Sequence, residues 1–174
     1  MTYVALTAFA LLFGYLTAMA IKYGIPDMVS DTLYQLPPRY NGIFTMVLVE
    51  VAALMMIAIL DIGAGIQCLA FIGCAALAFV GCAPNYIDKD EYKIHKSAAI
   101  TAALACCGWC ISVIAWPTIA IAALYGLFYL YTSTYNLANP VWMEDKDDWH
   151  PWYWAEVCCF VDVFVTYFIY AALL

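Results

Sequence analysis

Residues 42–62 read GIFTMVLVEVAALMMIAILDI, and this stretch decides the class of fold. It is long enough to cross a bilayer as an α-helix, which takes about 20 mostly apolar residues. Glu50 lies close to its middle. Because a carboxylate is costly among lipid tails, we expect Glu50 to face protein or water.

The composition extends this interpretation to the whole chain. Of its 174 residues, 67% are hydrophobic and 11% are charged, whereas about a quarter are charged in an ordinary soluble domain. The apolar runs do not alternate with polar residues, which argues against a transmembrane β-barrel. The sequence predicts one all-α domain over residues 1–174, a polytopic integral membrane protein built as a six-helix transmembrane bundle. The predicted helices are 3–23, 42–62, 66–83, 95–116, 118–136 and 154–174.

The distribution of basic residues predicts the orientation. The first span lacks the basic segment that precedes a signal peptide, so we expect it to be retained. With six spans, every Lys and Arg falls on the side of the three longer loops, and these residues are Lys22, Arg39, Lys89, Lys93, Lys96 and Lys146. The positive-inside rule then places the long loops in the cytoplasm and both termini outside.

Two acids within the predicted helices indicate a polar pocket. Spans 42–62 and 154–174 both start on the long-loop side, so Glu50 and Asp162 lie at matched depth, roughly 12 Å below the interface at about 1.5 Å per residue. We expect the two carboxyls to share a cavity in which one of them binds a proton or a cation. Further residues are expected in its wall or at its rim, namely Glu156, Cys158, Asp27, Ser30, Asp31, His95 and His150.

Three functions are compatible with this pattern. The first is an acidic intramembrane cavity that binds a cation, a proton or a polar lipid headgroup, in transport, as a channel or as a binding protein. The second is a metal-dependent lipid hydrolase that uses His95 and His150 with Asp31 or Glu156. The third is a small membrane scaffold in which the acids are structural, and Asp27, Ser30 and Asp31 are then helix-capping groups. The pattern favours a protein that is not an enzyme without deciding the point.

The eight cysteines are predicted to be packing residues. Cys107-Gly108-Trp109-Cys110, the CxxC segment, has the spacing of thiol oxidoreductases. Every cysteine nevertheless lies within a predicted helix, where free thiols behave as small apolar groups. We therefore expect neither redox chemistry nor a disulfide framework.

Charge and small residues indicate the partners. A net charge of −7 argues against nucleic acid, and membrane lipids are the expected partners. Small residues at four-residue spacing in the third span allow close helix packing, and these are Ala70, Cys74, Ala78 and Cys82. Such faces also predict a homo-oligomer, and a metal cation is the one cofactor that the acids suggest.

Four motifs carry a resemblance to known proteins: IPDMVSDTLYQLP at 25–37, GCAPN at 81–85, IHKSAAI at 94–100 and WYWAEV at 152–157. Together they resemble a group of small six-span membrane proteins of unassigned function, which implies the fold and no chemistry. More remotely, the architecture is similar to the ceramidase and progestin-receptor-like membrane hydrolases. Those bind zinc through three histidines with a Ser and an Asp. Since His95 and His150 are the only histidines in this chain, carboxylates would have to replace imidazoles in such a site.

Overall fold

The computed structural model describes residues 2–82, 89–138 and 149–174. Within these ranges the chain is helical apart from turns and short links, and it contains no strand. The α-helices are α1 Thr2–Tyr23, α2 Thr32–Gln35, α3 Gly42–Ile62, α4 Gln67–Cys82, α5 Lys89–Val113, α6 Ala115–Ala138 and α7 Pro151–Leu173. Two 3-10 turns, Val29–Asp31 and Pro38–Tyr40, flank the short helix α2.

The all-α prediction is confirmed for the described residues. Each of the six predicted spans is a helix, and five of these helices are long and apolar enough to cross a membrane, namely α1, α3, α5, α6 and α7. α4 is also apolar but has only 16 residues, which corresponds to a length of about 24 Å. Residues 83–88 and 139–148, including Lys146, lie outside the described residues. The fourth predicted span also begins earlier than expected, since α5 starts at Lys89 and not at His95.

The boundary between the fourth and fifth predicted spans is displaced. The sequence placed the break at Trp116-Pro117-Thr118, but α5 ends at Val113 and α6 begins at Ala115. Pro117 therefore lies in the first turn of α6. A proline is tolerated there because the first N–H groups of a helix have no partner within the helix.

The tight link between α3 and α4 is held by the end of α5. Gly65 adopts a φ of 65°, and a Cβ at this position would lie 2.6 Å from Ser112 Oγ. Trp109 is only 1% exposed, and its indole N–H donates to the carbonyl of Ala64 at 3.0 Å. The Ile66 N–H donates to Ser112 Oγ at 2.9 Å. The Trp of the CxxC segment thus anchors the hairpin to α5.

Small residues of α4 pack closely against α3 and α5. A Cβ at Gly73 would lie 2.5 Å from Cys106 Sγ of α5, and one at Gly81 would lie 3.0 Å from Leu48 Cβ of α3. Ala70 and Cys74 are buried in the same core. Small residues of α4 therefore bring α3, α4 and α5 together, as small residues do between membrane helices.

Aromatic rings join the first and last helices. Phe9 of α1 lies 5.4 Å from Phe164 and 6.4 Å from Phe168 of α7, measured between ring centroids. Phe13 lies 6.0 Å from Phe164. These contacts fix α7 beside α1, and they position the N-terminal turns of α7 next to the segment that follows α1.

Candidate functional site

A cavity of about 120 Å³ lies between α3, α4, α5 and α7. One wall is the inner face of α3, formed by Phe44, Leu48, Val51 and Met55. These residues recur every three or four positions, which places them on one face of a helix. The opposite wall includes Phe160 and Phe164 of α7. Most of the lining is apolar.

One end of the cavity is polar. Ser30 from the first 3-10 turn, His95 from α5 and Glu156 from α7 line it there. Ser30 is 5% exposed and His95 is 8% exposed. An Oε2 atom of Glu156 accepts a hydrogen bond from the backbone N–H of Val29 at 2.7 Å, and the Ser30 N–H is a second donor to this carboxyl. Glu156 thus holds the turn against the cavity.

Residues 24–36, here called the strap, cover this polar end. Thr32 of the strap is fully buried. Its hydroxyl donates to the Val29 carbonyl at 2.7 Å and accepts from the Tyr15 hydroxyl of α1 at 2.9 Å. The strap is therefore fastened to α1 through Tyr15 and to α7 through Glu156.

The strap carries two acids, Asp27 and Asp31, and Asp31 interacts electrostatically with Glu156. Asp31 accepts a hydrogen bond from the Met28 N–H at 3.0 Å. Burial raises the pKa of the Asp31 carboxyl, and Asp27 adds to the rise, whereas the Met28 N–H and His95 lower it. Asp27 is 75% exposed, and its Oδ1 lies 3.1 Å from Nδ1 of His150.

Six of the predicted site residues come together here, and these are Asp27, Ser30, Asp31, His95, His150 and Glu156. They meet because the strap crosses the start of α7 and lies beside the first turns of α5. The IPDMVSDTLYQLP motif forms most of the strap, and WYWAEV supplies Glu156.

The expected pairing of Glu50 with Asp162 is not formed. Glu50 is exposed on the outer face of α3, away from the face that lines the cavity. Asp162 is 2% exposed, and its Oδ1 accepts a hydrogen bond from the Thr118 hydroxyl of α6 at 3.0 Å. Neither carboxyl lines the cavity. Equal depth on two parallel helices does not determine the direction in which each side chain points. The sequence alone therefore could not show whether the two carboxyls meet.

The face of α7 that lines the cavity also differs from the predicted one. Cys158 was expected beside Glu156, one turn before Asp162, but Cys159 lines the cavity instead. Cys74 and Cys106 line it as well, although the sequence predicts both to be packing residues only. Periodicity in hydrophobicity could not have revealed these cysteines, since α4, α5 and α7 are apolar on most of their surface.

The described residues offer no group of three or more His, Cys, Asp or Glu side chains arranged to hold a metal ion. His95 and His150 are therefore not joined into a metal site by the described acids around them. No known protein family, curated protein or solved structure matches the chain.

Proposed function

We propose that this chain is an integral membrane protein whose cavity binds an amphipathic molecule, with the polar head at Glu156 and the apolar part between α3 and α7. The observation that carries this proposal is the division of one cavity into a polar end and an apolar end. A site for a free ion would be polar throughout. A cavity left by imperfect packing alone would not be expected to have a carboxyl, an imidazole and a hydroxyl grouped at one end.

The outer surface supports insertion into a membrane. The apolar side chains of α6 point outward along most of its length, and Ile119, Leu124, Leu127 and Leu130 are each more than 60% exposed. A soluble monomer rarely exposes a continuous apolar patch of this kind. We propose that α4 crosses the bilayer together with the five longer helices, which gives six spans with the long loops in the cytoplasm.

The position of the polar end supports entry from the long-loop side. Glu156 is five residues after Pro151, the first residue of α7, so it lies about 8 Å along the helix. Phe164 is eight residues further on, about 12 Å deeper at the same rise per residue. A molecule bound in this direction would keep its head near the headgroup region and its chain in the hydrocarbon core.

The size of the cavity limits the apolar part of the ligand. An engineered apolar cavity of about 150 Å³ binds benzene, and this cavity has a comparable volume of about 120 Å³. The cavity as a whole therefore suits a short molecule of about six carbons or the first part of a longer chain. Among the described residues no group of three or more His, Cys, Asp or Glu side chains could hold a metal ion, so we propose a binding role in preference to a metal-dependent hydrolase.

A cavity-filling variant tests the proposal. Ala99 lines the cavity, so Ala99→Phe should place a ring in the ligand's space, whereas Ala122→Phe on the exposed surface of α6 is the matched control. Hexanol should raise the thermal unfolding midpoint of the wild-type chain and of the control in neutral detergent. It should have no such effect on Ala99→Phe.

The size of the shift follows from mass action. At 100 times its Kd, a ligand stabilises the folded state by about 2.7 kcal/mol, and a chain of this length shifts by about 2–4 °C per kcal/mol. An equal shift in Ala99→Phe would mean that hexanol acts elsewhere, and the cavity proposal would then be wrong.

A further inference from the structure

The polar end of the cavity has more carboxyl groups around it than basic side chains. Glu156 lines it, Asp31 interacts electrostatically with Glu156, and Asp27 interacts with Asp31. The histidines His95 and His150 face these three acids. No Lys or Arg is among the cavity's lining residues in the described part of the chain.

Three basic side chains lie over aromatic rings. Lys22 lies 4.9 Å from the ring centroid of Tyr23, Arg39 lies 4.6 Å from that of Tyr40, and Lys96 lies 5.8 Å from that of Tyr92. None of the three is among the residues that line the cavity, so the lining described here offers an anionic head carboxyl groups and no lysine or arginine.

We propose that the preferred ligand class is an amphipathic molecule with an ammonium head, bound with its nitrogen at Glu156 and its chain along the α3 and α7 walls. This inference rests on the function proposed above and names the head that the cavity selects. An ammonium group has three donors and no acceptor. The carboxyl of Glu156 and the hydroxyl of Ser30 are both acceptors at the polar end.

A bare metal cation fits less well. A divalent ion of the calcium or magnesium type needs six or more oxygen ligands, and the described residues hold no group of three metal-ligating side chains. The apolar walls from Phe44 to Met55 would also contribute nothing to such an ion. An ammonium with an attached hydrocarbon chain uses both ends of the cavity.

Three six-carbon probes with different heads test the inference: hexylamine, hexanol and hexanoate. Their apparent affinities are measured from thermal unfolding midpoints of the purified full chain in neutral detergent at neutral pH. Hexylamine should bind most tightly, hexanol more weakly and hexanoate least. Calcium chloride alone is the fourth probe and should neither shift the midpoint nor compete with hexylamine.

Glu156→Gln should weaken hexylamine binding by about tenfold or more, because a hydrogen bond to a charged group contributes about 1.5–3 kcal/mol. Its hexanol affinity should fall by less than its hexylamine affinity, because the amide that replaces the carboxyl still accepts a hydrogen bond from a hydroxyl but carries no charge for an ammonium. Glu50→Gln is the matched control, since Glu50 is exposed on the outer face of α3, and it should bind hexylamine as the wild type does. Should Glu156→Gln fail to fold, Asp31→Asn should reduce the preference for hexylamine over hexanol in the same direction.

The outcomes separate the two proposals. Equal wild-type affinity for hexylamine and hexanol, or an equal loss of both in Glu156→Gln, would refute the ammonium head while leaving the cavity proposal in place. Competition by calcium would replace the ammonium with a metal cation. If no probe bound and Ala99→Phe behaved as the wild type, both proposals would be wrong.

Discussion

Removing the carboxyl of Glu156 should release the strap. Val29 begins a 3-10 turn, so its N–H has no partner within the turn. Its described acceptor is Glu156 Oε2 at 2.7 Å, and the Val29 residue is only 3% exposed. A buried donor left without its partner costs about 1–3 kcal/mol, and each 1.4 kcal/mol is about a tenfold change in an equilibrium. In Glu156→Ala, hydrogen exchange at the Val29 amide through local opening of the strap should therefore become about fivefold to a hundredfold faster.

Amide-resolved exchange on chain labelled with ¹⁵N-valine measures this effect. Asp27→Ala is the control, because it removes the contact of an exposed carboxylate with His150, and exposed pairs contribute only about 0–1 kcal/mol. Exchange at Val29 should change by less than about fivefold in this control. An unchanged Val29 amide in Glu156→Ala would refute the role of Glu156 in fastening the strap. If Val29 exchanged as fast in Asp27→Ala as in Glu156→Ala, the contact between Asp27 and His150 would be what holds the strap in place.

Four further predictions concern the fold, the topology and the strap. Trp109→Phe should lower the free energy of unfolding by about 1–2 kcal/mol, because it leaves the buried Ala64 carbonyl without its donor. Trp116→Phe, at a 61% exposed position, is the control and should be nearly neutral. Equal unfolding midpoints for the two variants would contradict the anchoring role of Trp109. Ala at both cysteines of the CxxC segment should preserve helix content and hexanol binding, and a mixed disulfide trapped by either single variant would revive the redox interpretation. In a cysteine-free background, Arg39→Cys should resist an impermeant thiol reagent in intact cells while Tyr3→Cys reacts, and the reverse pattern would invert the topology. The raised pKa of Asp31 means that the folded chain holds this proton more tightly than the unfolded chain, so its contribution to stability is complete below the ordinary carboxyl pKa and is lost as the pH rises through the raised value. Asp31→Asn should therefore remove that part of the slope when unfolding midpoints are measured across an acid pH series.

The clustering of the cavity's polar residues was partly predictable. The strap motif, His95 and Glu156 each lie at the long-loop end of a predicted helix, so the order of the spans was enough to bring them to one end of the bundle. The prediction failed where it needed a helix face, as with Glu50 and Cys158. The rule that acids avoid lipid suggested that Glu50 points inward, yet the inner face of α3 is formed by Phe44, Leu48, Val51 and Met55.

The sequence by itself determined the all-α class, the positions of the six apolar helices and the end at which polar residues gather. Long apolar runs are sufficient for this because a backbone surrounded by apolar side chains must satisfy its hydrogen bonds within each helix. Only the tertiary structure decided which face of each helix is inside. A helix that is apolar all round has no amphipathic period to orient it, so its rotation is set by close contacts such as Gly73 against Cys106 and Gly81 against Leu48. Those contacts turn Glu50 outward and leave Glu156 as the carboxyl that faces the cavity.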